Sequence, residues 1–110
     1  GKSCDRFAPF GPYLVTTDEI ENPDDLNMWL KVNGETMQSS NSSNLHYKIP
    51  FLLSYVSQFM TLLPGDIIST GTPPGVGMGM DPQVYLKAGD LVELGIDQLG
   101  TSSQKVVPAQ

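Results

Sequence analysis

The stretch Asn27–Ser40, "NMWLKVNGETMQSS", decides the fold class. Met28, Leu30 and Val32 alternate with Trp29 and Lys31, the period of two that sends successive side chains to opposite faces of a strand. Asn33-Gly34 then supplies two residues that accept positive φ, as a type I′ turn requires. Thr36–Ser40 returns as the partner strand. The segment reads as a β-hairpin.

Outward from this hairpin the signals are mixed. "SSNSSNLHY" (Ser39–Tyr47) is polar and reads as an exposed loop. Pro50 suits the first turn of a helix, where its missing N–H is no loss. Leu52, Tyr55, Val56, Phe59 and Leu63 recur at helical spacing, so a helix is expected over about 50–61, with Trp29, Tyr55 and Phe59 in the core. Pro64-Gly65 ends it. "PGDIIST" (Pro64–Thr70) and "AGDLVELGI" (Ala88–Ile96) then echo each other. In each a Gly-Asp turn launches an apolar run, giving expected strands at Asp66–Thr70 and after Asp90. Tyr13–Thr17 and Ser102–Val107 complete five or six strands around one helix. The expected class is mostly β (α+β), a single domain over residues 1–110.

Composition excludes several function classes. Six basic and twelve acidic residues give a net charge of −6. The six cations are scattered, whereas a phosphate-backbone footprint needs them clustered, so nucleic acid is not an expected partner. No apolar run approaches the roughly 20 residues that span a bilayer, so no membrane partner is expected. A lone cysteine, Cys4, cannot close an intrachain disulfide, which favours a reducing, cytoplasmic setting. The opening "GKSCDRFAPFGP" reads as mid-protein sequence, so the chain is expected to be part of something longer.

The chemistry is concentrated in "STGTPPGVGMGM" (Ser69–Met80). A P-loop needs Gly-Lys-Ser/Thr, and here Gly79 precedes Met80. A dinucleotide fingerprint needs GxGxxG at the start of a helix, and the spacing Gly75, Gly77, Gly79 is different, with Pro82 following. What remains is a small-residue loop. Thr70 and Thr72 offer hydroxyls, Gly71 and Gly75 allow close backbone approach, and successive N–H groups suit a carboxylate or enolate. On these residues alone a plain turn competes with a carboxylate contact.

The ordered set "GKSCDRFAPFGPYLVT", "MWLKVNGE", "IPFLLSYVSQFMTLLPGDIISTGTPPGVG" and "LKAGDLVELGI" resembles the C-terminal half of the fumarylacetoacetate hydrolase superfamily, from Gly1 to about Val107. That resemblance implies a mixed β-roll and a homodimer or larger self-assembly. It implies hydrolysis, isomerisation or decarboxylation of 2-oxo acids or β-diketo acids. It implies Mg2+ or Mn2+, held by two glutamates and an aspartate, with a His/Glu pair that activates water. Those groups lie upstream of the segment that "GKS" matches, so no metal ligand is assigned in this chain, and His46 does not stand in for the catalytic histidine. By the same resemblance Lys2 faces the metal-bound substrate and Thr72 holds a substrate carboxylate, while Gly71 and Thr70 stay substrate-binding candidates on the loop chemistry above. The competing reading is a catalytically silent half-length domain that self-associates or pairs with a partner.

Other residues take plainer readings. Cys4 reads as an idle thiol and His46 as a loop residue. Asp18, Glu19 and Glu21 read as a solvated face rather than a metal site. Met78 and Met80 read as an adaptable apolar rim or a dimer contact.

Overall fold

The structure, a computed structural model, describes residue 2 and residues 4–108. Its centre is a four-stranded sheet: β1 (Asn27–Val32), β2 (Glu35–Asn41), β3 (Leu91–Ile96) and β4 (Gly100–Lys105). The spatial order is β2-β1-β3-β4, and every neighbouring pair is antiparallel. The expected hairpin forms, with Asn33 at φ 52° and Gly34 at φ 85° in its turn.

The period-two pattern fixes which face is apolar. Met28, Leu30 and Val32 stand opposite Ile96, Leu94 and Val92, so one face of the central pair is aliphatic. Cross-strand apolar pairs of this kind stabilise by about 0.2–1 kcal/mol each. Trp29 lies on the other face, opposite Gly95. A Cβ on Gly95 would come within 2.8 Å of the indole, so the glycine leaves room for the ring. The Lys31 ammonium sits 5.3 Å from the centre of that ring.

Between β1 and β2 the register shifts after Leu30. Leu30 pairs with Gln38 and Lys31 with Thr36, so Met37 is the extra residue of a β-bulge. The bulge bends β2 and matters for the site below. The two Gly-Asp turns are built alike. Asp66 and Asp90 each accept from the backbone N–H three residues back, of Leu63 and Lys87, at 2.7 Å. Their own N–H groups return to the same two carbonyls at 3.0 Å.

The apolar face is only partly covered. Residues 11–15 lie over Leu94 and Ile96, with a cleft of about 320 Å³ beneath them. Residues 75–77 and 84–86 lie over Leu30, Val32 and Val92, above a second cleft of about 250 Å³. Among the described residues Leu26 is the buried apolar side chain. Its N–H donates to Ser42 Oγ at 2.8 Å, and the Ser42 N–H donates back to the Leu26 carbonyl at 2.9 Å.

Several sequence expectations change. Tyr13–Thr17 forms no strand, because residues 13–15 pack across the apolar face of the sheet rather than beside a strand edge, and Thr17 opens a 3-10 turn. Asp66–Thr70 forms no strand and pairs with none among the described residues, and Ile67 is largely exposed. The helix, α1, spans Ile49–Ser57 and is shorter than expected. The N–H groups of Gln58 and Phe59 turn to carbonyls three residues back, which tightens and ends it. The last strand begins at Gly100 and ends at Lys105. Within the polar loop, Ser42 is buried rather than exposed.

The core assignment of the helix aromatics is also corrected. Tyr55 is 53% and Phe59 68% exposed, and Trp29 is only half-buried. The rings stack on one another instead. Tyr47, Phe51, Tyr55 and Phe59, four residues apart, have successive centroids 4.9, 6.1 and 5.1 Å apart. Each of the four rings stays more than half exposed among the described residues.

Candidate functional site

The glycine-rich loop follows the unpaired run Asp66–Ser69 and crosses β2 at Met37 and Gln38. The groups that seat it come from two adjacent residues of β2. Gln38 Nε2 donates to the Pro73 carbonyl at 2.8 Å and to Thr72 Oγ1 at 3.0 Å. The Met37 carbonyl packs directly against Gly75, at φ 105°, and leaves no space for a side chain there. A bulge turns both residues of the pair toward the loop, which a regular strand would not do.

The sequence-derived site residues fall as follows. Thr70, Gly71 and Thr72 are consecutive, exposed and open to solvent. Gly71 takes φ 105°, and a Cβ there would meet nothing within 4 Å. The Thr72 hydroxyl lies 3.3 Å from the Pro73 carbonyl as well as accepting from Gln38. Lys2 is exposed in irregular chain, and the bonds that seat the loop do not involve it. The loop residues therefore come together with Gln38 rather than with Lys2.

Gln38 is the residue the sequence reading missed. It had a signal. Its register opposite Leu30 puts a polar amide on the aliphatic face, where it needs a partner. Period alone does not name that partner, which lies 34 residues away.

Electrostatics are mild. Asp90 is held below its ordinary value of 3.8, first by the Lys87 backbone N–H, then by the Asn33 amide. Asn33 Nδ2 donates to Asp90 Oδ1 at 3.0 Å, and Asn33 Oδ1 accepts from the Leu91 N–H at 2.9 Å. This ties the hairpin turn to the start of β3, beside the cleft under the loop. Asp18 is likewise lowered, first by the Thr16 hydroxyl. Asp18 and Glu19 lie exposed in a single 3-10 turn, Thr17–Glu19. His46 is exposed, its ring edge-on to Tyr47 at 4.5 Å. Cys4 is a free, exposed thiol. Met78 is exposed and Met80 half-buried.

A divalent ion does not fit these residues. Among the described residues no group of three His, Cys, Asp or Glu side chains comes together in ligating range. No helix among them is long and apolar enough to cross a membrane.

Known proteins place the arrangement in context. The chain is 55% identical over 107 residues to a 2,4-didehydro-3-deoxy-L-rhamnonate hydrolase of a Sphingomonas species, which covers 96% of this chain and 38% of that enzyme. It superimposes with a TM-score of 0.94 on a fumarylacetoacetate hydrolase from the psychrophile Exiguobacterium antarcticum, 43% identical over 99% of this chain and 39% of that one. It matches a maleylpyruvate hydrolase from Sphingobium sp. SYK-6, solved with manganese(II) and pyruvate, with a TM-score of 0.86 and 40% identity over 94% of this chain and 37% of that one. The chain thus spans less than two fifths of the length of these relatives. The family model for the fumarylacetoacetate (FAA) hydrolase C-terminal domain matches residues 1–107, and the chain belongs to that family.

Proposed function

We propose that this chain supplies the carboxylate-holding part of an enzyme site that acts on 2-oxo or β-diketo acids, by hydrolysis, isomerisation or decarboxylation. The observation that carries the reading is the match over 94% of the chain to a maleylpyruvate hydrolase whose structure holds manganese(II) and pyruvate. The seating of the Thr70–Gly75 loop on β2 supports it, because a held loop presents fixed donors to an anion. Thr72, with Thr70 and Gly71, binds the substrate carboxylate. Lys2 offers a point charge to the enolate-like oxygen that forms. Mg2+ or Mn2+ would be held by groups outside these residues, where it would supply electrophilic stabilisation. The working enzyme is a homodimer in a reducing, cytoplasmic compartment, and residues 1–110 form one domain of it.

Turnover of acylpyruvates by the protein made as its gene encodes it, in buffer with Mn2+, tests the reading. Loss of one oxyanion donor costs on the order of 100-fold in turnover, so Lys2→Met is expected to show a drop of that size. Full activity in Lys2→Met removes Lys2 from the site. Absence of metal-dependent turnover on any 2-oxo acid overturns the enzyme reading.

A second reading has its own observation. Leu26 is the buried apolar residue among those described, while the helix stripe is open to solvent. A catalytically silent domain that covers this surface by self-association or with a partner accounts for that. Persistent assembly without any 2-oxo acid binding would favour it.

A further inference from the structure

We propose that Gln38 is a positioning residue for Thr72: its amide pins the loop to β2 and makes the Thr72 hydroxyl a hydrogen-bond donor toward a ligand carboxylate. The inference rests on the 2-oxo acid reading above and adds a residue from a different element to it.

The chemistry around the amide fixes its direction. The Gln38 side-chain nitrogen faces the Pro73 carbonyl at 2.8 Å, Thr72 Oγ1 at 3.0 Å and the Pro74 carbonyl at 3.5 Å. Carbonyl oxygens only accept, so the end of the amide among them must be the NH2. It has two hydrogens. The shortest contact takes one, and the Thr72 oxygen takes the other. The Pro74 contact is too long to compete.

Threonine has one hydroxyl hydrogen and two lone pairs. With a lone pair engaged by Gln38, the hydrogen is left to donate. Its neighbour inside the chain is the Pro73 carbonyl, at a long 3.3 Å and already serving Gln38. A ligand carboxylate is a better acceptor, because its charge shortens and strengthens the bond. The adjacent Met37 carbonyl packs against Gly75, so the bulge meets the loop at a second point.

Two variants separate this role from packing, which would rank them the other way. Gln38→Glu keeps the shape but replaces the NH2 by a carboxylate oxygen. That oxygen repels the Pro73 carbonyl and takes the Thr72 hydroxyl hydrogen, so the hydroxyl offers lone pairs to the ligand. Gln38→Met removes the anchor without reversing the hydroxyl.

The test uses the protein made as its gene encodes it, with pyruvate as the probe and the rate of limited proteolysis within residues 70–77 as a second readout. Both variants should be cut faster in that segment while the thermal midpoint stays near wild type. Pyruvate should bind about tenfold more weakly to Gln38→Met, and more weakly still to Gln38→Glu. A structural glutamine gives the opposite order, with Gln38→Glu nearer wild type, and that order would overturn the proposal. Unchanged proteolysis of the loop in both variants would overturn it as well. If the wild type binds no pyruvate while both variants free the loop, the pinning is upheld, and the donor role falls together with the 2-oxo acid reading.

Discussion

Trp29 crosses the sheet over Gly95, and the two positions depend on each other. A Cβ at Gly95 would sit 2.8 Å from the indole, which has the Lys31 ammonium 5.3 Å from its ring centre. Overpacking of this kind costs about 1–3 kcal/mol, so Gly95→Val should lower the urea midpoint by a matching amount. Gly34→Ala meets no atom within 4 Å and carries only the φ 85° penalty, which is about 1 kcal/mol. Equal midpoints for Gly95→Val and wild type would mean that the ring is not held there. Asp90 gives a second expectation at this scale. Its carboxyl titrates below 3.8 because the Lys87 N–H and the Asn33 amide favour the charged form. A depressed folded-state value stabilises above the unfolded one and is lost as pH falls through it. The stability gap between wild type and Asp90→Asn should therefore be level from neutral pH down to about 3.8 and close below that. A gap that widens in acid would contradict the assignment. Legibility at this scale followed locality. Asn33-Gly34 announced its turn because the requirement lies in those two residues. Gln38 did not, because its partners are set by a bulge and a distant loop.

At the scale of elements, the hairpin and the strand after Asp90 were readable, and Tyr13–Thr17 and Asp66–Thr70 were not. All four are apolar runs of strand-like composition. A strand, however, is defined by its neighbour, and residues 13–15 lie across the face of the sheet instead of along one of its edges. Propensity names extended chain, and the sheet order decides which extended chain is paired. The bulge at Met37 was equally invisible, since a one-residue slip leaves the composition unchanged. It has a consequence that can be measured. Gly75→Ala would place a methyl group against the Met37 carbonyl at a residue with φ 105°. The loop should lift from β2 while the sheet stays paired. Proteolysis within residues 70–77 should quicken, with β1–β2 amides still protected from exchange. Simultaneous loss of sheet protection would show that loop and sheet form one cooperative unit instead.

Over the whole molecule, the fold class was legible and the solvent exposure was not. Helical spacing marked Tyr55 and Phe59 as one face and could not say whether anything lies against it. The Cα radius of gyration is 15.4 Å, against about 13 Å for a compact chain of this length. The matched relatives are more than twice as long, and an exposed aromatic stripe together with a loose core is what a part of such a fold shows on its own. Contiguous apolar surface of this kind is sticky in water. These 110 residues made alone should therefore self-associate at micromolar concentration, read by sedimentation velocity. Burying one phenylalanine is worth about 1.5–3 kcal/mol, so Phe51→Gln with Phe59→Gln should weaken that association by well over tenfold. Helix content should hold, because glutamine is a good helix former. If the double variant associates as strongly as the parent, the contact lies elsewhere, and the open aliphatic face of the sheet becomes the surface to vary next.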